Sequence, residues 1–241
     1  MRCVALTLAL SGALLIAPAV AAGPVVTPPS PSSFGPPGLC HPIDIGDAGS
    51  LPWDATDPAW GRQPGYDLDG LVADTQRILA GTDVALVHME TLRRAAVYLT
   101  QTPEKARQQP PSVETLVAAL KAEWSAVKAR KHTDAELGLA TFDFGYLLAI
   151  LDQTGSGSRA GDGGDQLAAA CTLLPADAAV HLGAAIGDFG SWWGSDREAA
   201  LDTVFALVKD ADDPVARAAV STLGPLYGVS DYAGLQAEVR S

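Results

Sequence analysis

The run from Thr133 to Gln153, TDAELGLATFDFGYLLAILDQ, constrains the fold more than any other stretch of the mature chain. Thr133 and Glu136 stand three apart ahead of the apolar residues. That is the spacing of a capping box, in which the hydroxyl accepts from a free N–H of the first turn and the carboxylate reaches back. Asp134 adds negative charge at the positive end of the helix dipole, and Gly155 supplies a stop. At 100° per residue, Leu137, Phe142, Phe144, Tyr146, Leu147, Leu148, Ile150 and Leu151 cover most of the circumference. A helix apolar nearly all round is a buried one. Gly138, Gly145 and Ala149 fall on one narrow strip. Glycine inside a helix costs about 1 kcal/mol relative to alanine, so the strip predicts a neighbouring helix at close approach. Asp143 lies on the wheel among Leu139, Leu147 and Ile150. A carboxylate there is costly unless paired. It reads either as a structural ion pair or cap, or as a functional acid.

The N-terminus sets an address. Met1 to Ala22 has the form of a secretory signal peptide, with Arg2, an apolar core from Val4 to Ile16 and the cleavage pattern Ala19-Val20-Ala21. The expected location is therefore secreted or periplasmic. No other segment is apolar and long enough to cross a membrane. Residues 23–38 carry six prolines with serine and threonine, an extended linker that builds no core. Cys40 and Cys171 remain after cleavage and can form one disulfide in an oxidising compartment, or stay as two buried thiols. Without Arg2 there are 15 basic residues against 28 acidic ones, which argues against a nucleic-acid partner. The acidity is uneven. Residues 83–132 hold 8 basic and 5 acidic side chains, whereas 133–241 hold 5 and 16.

Residues 39–66 are irregular, rich in proline, glycine and aspartate, yet they include Ile43, Ile45, Leu51, Trp53 and Trp60. They read as a strap around a helical body, with the two indoles as pegs. His41, Asp44 and Asp47 form an alternative metal or acid–base group, although their spacing fits no metal-site pattern. Helices are expected at Asp67–Leu79, Val84–Leu99, Val113–Arg130, Asp165–Leu174 and Ala176–Ile186. Three more follow at Asp196–Lys209, Pro214–Leu223 and from a Ser230 cap to Arg240. The loop 155–164, GSGSRAGDGG, carries no fixed turn chemistry. In the second helix His88 sits mid-stripe with Val84, Leu92, Ala95 and Leu99, as a satisfied core residue or as a ligand. Glu90 and Arg94 are four apart and suited to pair. In the third, Leu116, Leu120, Trp124 and Val127 form the inner row. Trp192 and Trp193, flanked by glycines, read as buried plugs or as exposed indoles that stack on a sugar.

Along Ala206–Gly224, ALVKDADDPVARAAVSTLG, the chain resembles a HEAT-type repeat. The turn is Asp210–Pro214, and Val215, Arg217, Ala218, Ala219, Leu223 and Gly224 match the second helix, with Ala216 inserted before the arginine. The match covers one unit, about residues 195–224. It implies packed antiparallel helix pairs and protein binding, and it carries no catalytic residues.

The expected fold is all-α: a single domain over 39–241, an irregular array of antiparallel helix pairs in the manner of HEAT repeats. None of the four histidines pairs in a metal-binding motif, and there is no nucleophile elbow, P-loop or dinucleotide fingerprint. No cofactor and no metal are therefore expected. The leading expectation is an exported, non-enzymatic interaction module that binds a protein or envelope component. One alternative is a small secreted enzyme with His88 and Asp143, joined by Arg93, in its core. The other is a carbohydrate-binding module using Trp192 and Trp193.

Overall fold

The structure, a computed structural model, describes residues 36–57, 60–101, 112–154, 163–188 and 195–241, without the side chains of 195 and 196. All of them fall in one compact unit, Ser33–Ser241. The expected signal peptide, most of the expected linker and residues 155–162 of the glycine-rich loop lie outside the described residues. Ten helices form among the described residues: α1 (Pro37–Cys40), α2 (Leu71–Leu79), α3 (Ala85–Thr100), α4 (Val113–Ala129), α5 (Asp134–Asp152), α6 (Gly164–Leu173), α7 (Ala178–Gly187), α8 (Ser195–Leu207), α9 (Pro214–Tyr227) and α10 (Tyr232–Val239). A 3-10 turn at Leu68–Gly70 precedes α2, and no strand forms among these residues. The chain is all-α, and none of these helices is long and apolar enough to cross a membrane.

The capping box that opens α5 is closed on both sides: Glu136 N–H donates to Thr133 Oγ1 at 3.1 Å and Thr133 N–H donates to Glu136 Oε2 at 2.9 Å. From Thr141 to Leu151 every residue of α5 is buried. It packs on α3, α4, α6 and α7. The small-residue strip has its expected neighbour. A Cβ on Gly145 would lie 2.7 Å from Gln166 Cβ and 3.0 Å from the Leu167 nitrogen at the start of α6. Gly138 is covered by Leu174, just beyond the end of α6. The missing side chain, at its cost in helix propensity, is what lets α6 and its end come near.

Several boundaries differ from the sequence reading, and α2 begins at Leu71, after the 3-10 turn, and not at Asp67. α7 starts at Ala178, because Asp177 accepts from the N–H groups of Ala179 and Val180 at 2.9 and 3.2 Å. α10 is capped by Asp231, which takes the Gly234 N–H at 2.8 Å, and not by Ser230. α8 ends at Leu207, two residues before Lys209. α9 runs through Gly224 and Pro225 to Tyr227 and stops at Gly228, whose φ of +67° is the left-handed turn that glycine adopts without strain. Gly224 has a different duty: the Val229 carbonyl oxygen lies only 2.7 Å from where its Cβ would be.

Residues 39–66 are hydrogen-bonded to α3. Ile43 N–H donates to Glu90 Oε2 at 3.0 Å, Ser50 meets Thr91 at 2.9 Å, and Tyr98 Oη donates to the Pro52 carbonyl at 2.6 Å. Leu39, Ile43 and Leu51 enter the core. Trp53 packs edge-on against Tyr98 and under the guanidinium groups of Arg93 and Arg94. Trp60 does not act as a second peg; it is among the most exposed large apolar residues described, at 38 %. The disulfide expected between Cys40 and Cys171 is not formed, and both are free thiols. Cys40 ends α1, which packs on α3, α7 and α9, whereas Cys171 lies on α6, against α5 and α7.

Candidate functional site

α3 and α5 each contribute one polar side chain to the buried face where they cross. His88 Nδ1 lies 2.7 Å from Asp143 Oδ1, and both residues are buried. The second ring nitrogen, Nε2, lies 3.1 Å from the Thr82 carbonyl. This carbonyl is available because residues 82–84 are not yet helical; Val84 caps α3 in an extended conformation, and its N–H donates to Thr82 Oγ1 at 3.1 Å. The ring is thus held between a carboxylate and a carbonyl. A neutral imidazole has one donor nitrogen, while the imidazolium has two. Only the charged ring donates to both partners at once.

The electrostatics agree. Burial pulls the His88 pKa down, but the charge and hydrogen bond of Asp143, the Thr82 carbonyl and the charge of Glu123 together hold it above the ordinary 6.5. Glu123 of α4 stands near enough to act on this pair through its charge. Burial and the Asp143 charge raise its pKa above 4.5, against a hydrogen bond from Gln76 of α2 and the charge of His88. Glu123 Oε2 is shut off from solvent and accepts no hydrogen bond. Sequence reasoning passed over Glu123, although it stands three after Leu120 and seven after Leu116, on the inner row of α4.

Arg93 does not join this junction. It is fully buried on another side of α3 and donates through Nε and Nη2 to Glu90 at 2.7 and 2.9 Å. Its Nη1 donates to the Leu39 carbonyl at 3.0 Å. Arg94 donates from Nε to Glu90 at 2.7 Å and from Nη1 to the Leu51 carbonyl at 2.6 Å. One buried carboxylate therefore gathers two arginines, and the arginines hold carbonyls of the N-terminal segment.

The group His41, Asp44 and Asp47 does not assemble. Asp44 pairs with Arg217 of α9 at 2.8 Å, which together with the Gly46 N–H holds its carboxyl below the usual range. Asp47 is exposed. His41 is buried, and burial together with the Arg93 charge lowers its pKa. Among the described residues no cluster of three or more histidine, cysteine or acidic side chains is arranged to hold a metal ion. Trp192 and Trp193 lie outside the described residues.

Two surface clefts stand out among the described residues. One, of about 570 Å³, runs between the first turn of α5, the α6–α7 turn and the start of α9; Ala135, Leu173, Leu174, Pro175 and Val215 line it. The other, of about 420 Å³, lies in the N-terminal segment between Asp54, Trp60, Arg62 and Tyr66. Neither is lined by His88 or Asp143. No known protein family, curated protein or solved structure matches the chain.

Proposed function

We propose that the protein is an exported helical interaction module whose partner is a protein or a component of the cell envelope. The observation that carries this reading is the state of His88. Its two ring nitrogens face acceptors within the protein, so neither is left to take a proton from a substrate. A general base must reach the proton it removes, and the pair has no mouth onto either cleft. This favours a structural over a catalytic role for His88 and Asp143. The apolar cleft at the α6–α7 turn supplies a surface for the partner. The stretch that resembles a HEAT repeat, α8 and α9, adjoins it through Val215, with α8 packed on α7 and α9 on α10.

The test places a photo-crosslinking residue at Val215 or Ala176, beside the cleft, and at Lys121, on the exposed face of α4. Adducts of defined mass from the cleft positions alone support the proposal. Equal labelling at all three positions, or none at any, overturns it.

A further inference from the structure

We propose that α4 is held on the domain by a proton-linked junction of Glu123, His88 and Asp143, so that its docking loosens as the pH rises. The inference stands apart from the interaction reading and does not depend on it.

The apolar grip of α4 is small. Only Leu116 and Leu120 are buried, with Val113, Val117 and Trp124 partly covered. Trp124 stacks on Phe144 at 5.2 Å and donates its indole N–H to Thr141 at 3.1 Å. The helix packs on α2, α3 and α5. Glu123 is acted on from all three: the Gln76 amide of α2 by a hydrogen bond, and His88 of α3 and Asp143 of α5 through their charges, the His88 ring nitrogens being turned to Asp143 and the Thr82 carbonyl. Gln76 does not titrate, so the charge balance is set by one imidazole and two carboxylates.

With Glu123 protonated and His88 charged, the junction is neutral. Ionising Glu123 leaves one negative charge in excess, and Oε2 accepts no hydrogen bond to spread it. An ionised oxygen shut off from water is costly without a donor. Deprotonating His88 then sets two carboxylates against each other and removes a donor from the ring, so either Thr82 or Asp143 loses its bond. Both steps run the same way. Glu123 and His88 each have a pKa raised on folding. Each contribution is complete below the ordinary value of its group and is lost as the pH climbs through the raised one. The relief open to the chain is outward movement of α4, which rehydrates Glu123 and uncovers Phe144 and the inner row of α4.

Hydrogen–deuterium exchange of α4 relative to α5, corrected for intrinsic exchange, tests this in the full chain. The protection of α4 should fall relative to α5 about tenfold between about pH 5 and about pH 8, the equivalent of one pKa unit of linkage. Glu123→Gln should flatten that fall, and Glu114→Gln, an exposed charge on the same helix, should leave it as in the parent. Parallel behaviour of α4 and α5, or a parental slope in Glu123→Gln, overturns the proposal. Carbon-detected NMR of the Glu123 carboxyl is a second test in the parent protein: its midpoint should lie above the ordinary glutamate range, and a midpoint at or below 4.5 overturns the proposal.

Discussion

His88 and Asp143, 55 residues apart in the chain, meet at 2.7 Å with both side chains withdrawn from water. The Thr82 carbonyl on the far side of the ring makes the arrangement one donor cation between two acceptors. The pair joins α3 and α5, two largely buried helices, at a point where each otherwise presents apolar side chains. A buried pair of this kind is poor evidence for net stabilisation, but removing one partner is costly because the other is left behind.

His88→Gln should therefore destabilise the domain by about 1–3 kcal/mol, since the glutamine cannot supply a charged donor to both acceptors. In a domain of this size that lowers the melting temperature by roughly 2–4 °C per kcal/mol. The sign of the pH effect follows from the raised pKa: the contribution is complete below 6.5 and is lost as the pH rises through the folded value. Urea unfolding at several pH values should show the gap between parent and variant closing toward alkaline pH. A gap that is absent, or that widens with pH, contradicts the imidazolium assignment.

Glu90→Ala should be worse. Glu90 accepts from Ile43 N–H, from two nitrogens of Arg93 and from Arg94. Arg93 is fully buried, and losing its carboxylate costs about 3–5 kcal/mol by the usual penalty for breaking a buried pair. Because both arginines also hold carbonyls of residues 39–51, limited proteolysis should cut within 39–66 before the helical body unfolds. Parental melting together with parental resistance to protease would mean that the network does not hold residues 39–51.

The helical fold and part of the junction were legible in the chain because they rest on short-range signals. Thr133 and Glu136 are three apart, Gly138, Gly145 and Ala149 repeat on one strip, and His88 interrupts an apolar stripe. Glu123 carried the same kind of signal, three residues after Leu120, and was hidden by the lysines around it. The Glu90–Arg93 pair was not legible in that way. At a spacing of three it looks like any solvated helix pair, and what buries it is backbone from residues 39–51, more than 40 residues away. The disulfide failed for the same reason, since which helices Cys40 and Cys171 join depends on packing that spacing does not encode.

The glycine strip gives a paired test. Alanine raises helix propensity at both Gly138 and Gly145 by about 1 kcal/mol. At Gly145 the new methyl meets the Leu167 nitrogen at 3.0 Å and the Gly163 oxygen at 3.1 Å, both backbone atoms that cannot step aside alone. At Gly138 the atoms in the way belong to the Leu174 side chain. Gly145→Ala should lose about 1–3 kcal/mol through overpacking, and Gly138→Ala should lose less. Chemical denaturation of the two variants checks the order, and the reverse order would mean that α6 can shift along α5.

The thiols supply the last expectation. Burial pushes the Cys171 thiol up to about 11 and raises that of Cys40, against the Arg93 charge. At pH 8 about one Cys171 in a thousand is thiolate, and the thiolate is the form that reacts. Iodoacetamide should label Cys171 slowly in the native protein and fast after unfolding in urea. With no bridge between Cys40 and Cys171, reductant should leave the melting temperature unchanged. A bridge closing the loop between them would contribute several kcal/mol by restricting the unfolded chain, on the order of 4–5 for a loop of about 100 residues. A marked drop in melting temperature on reduction would therefore show that the protein carries the disulfide after all.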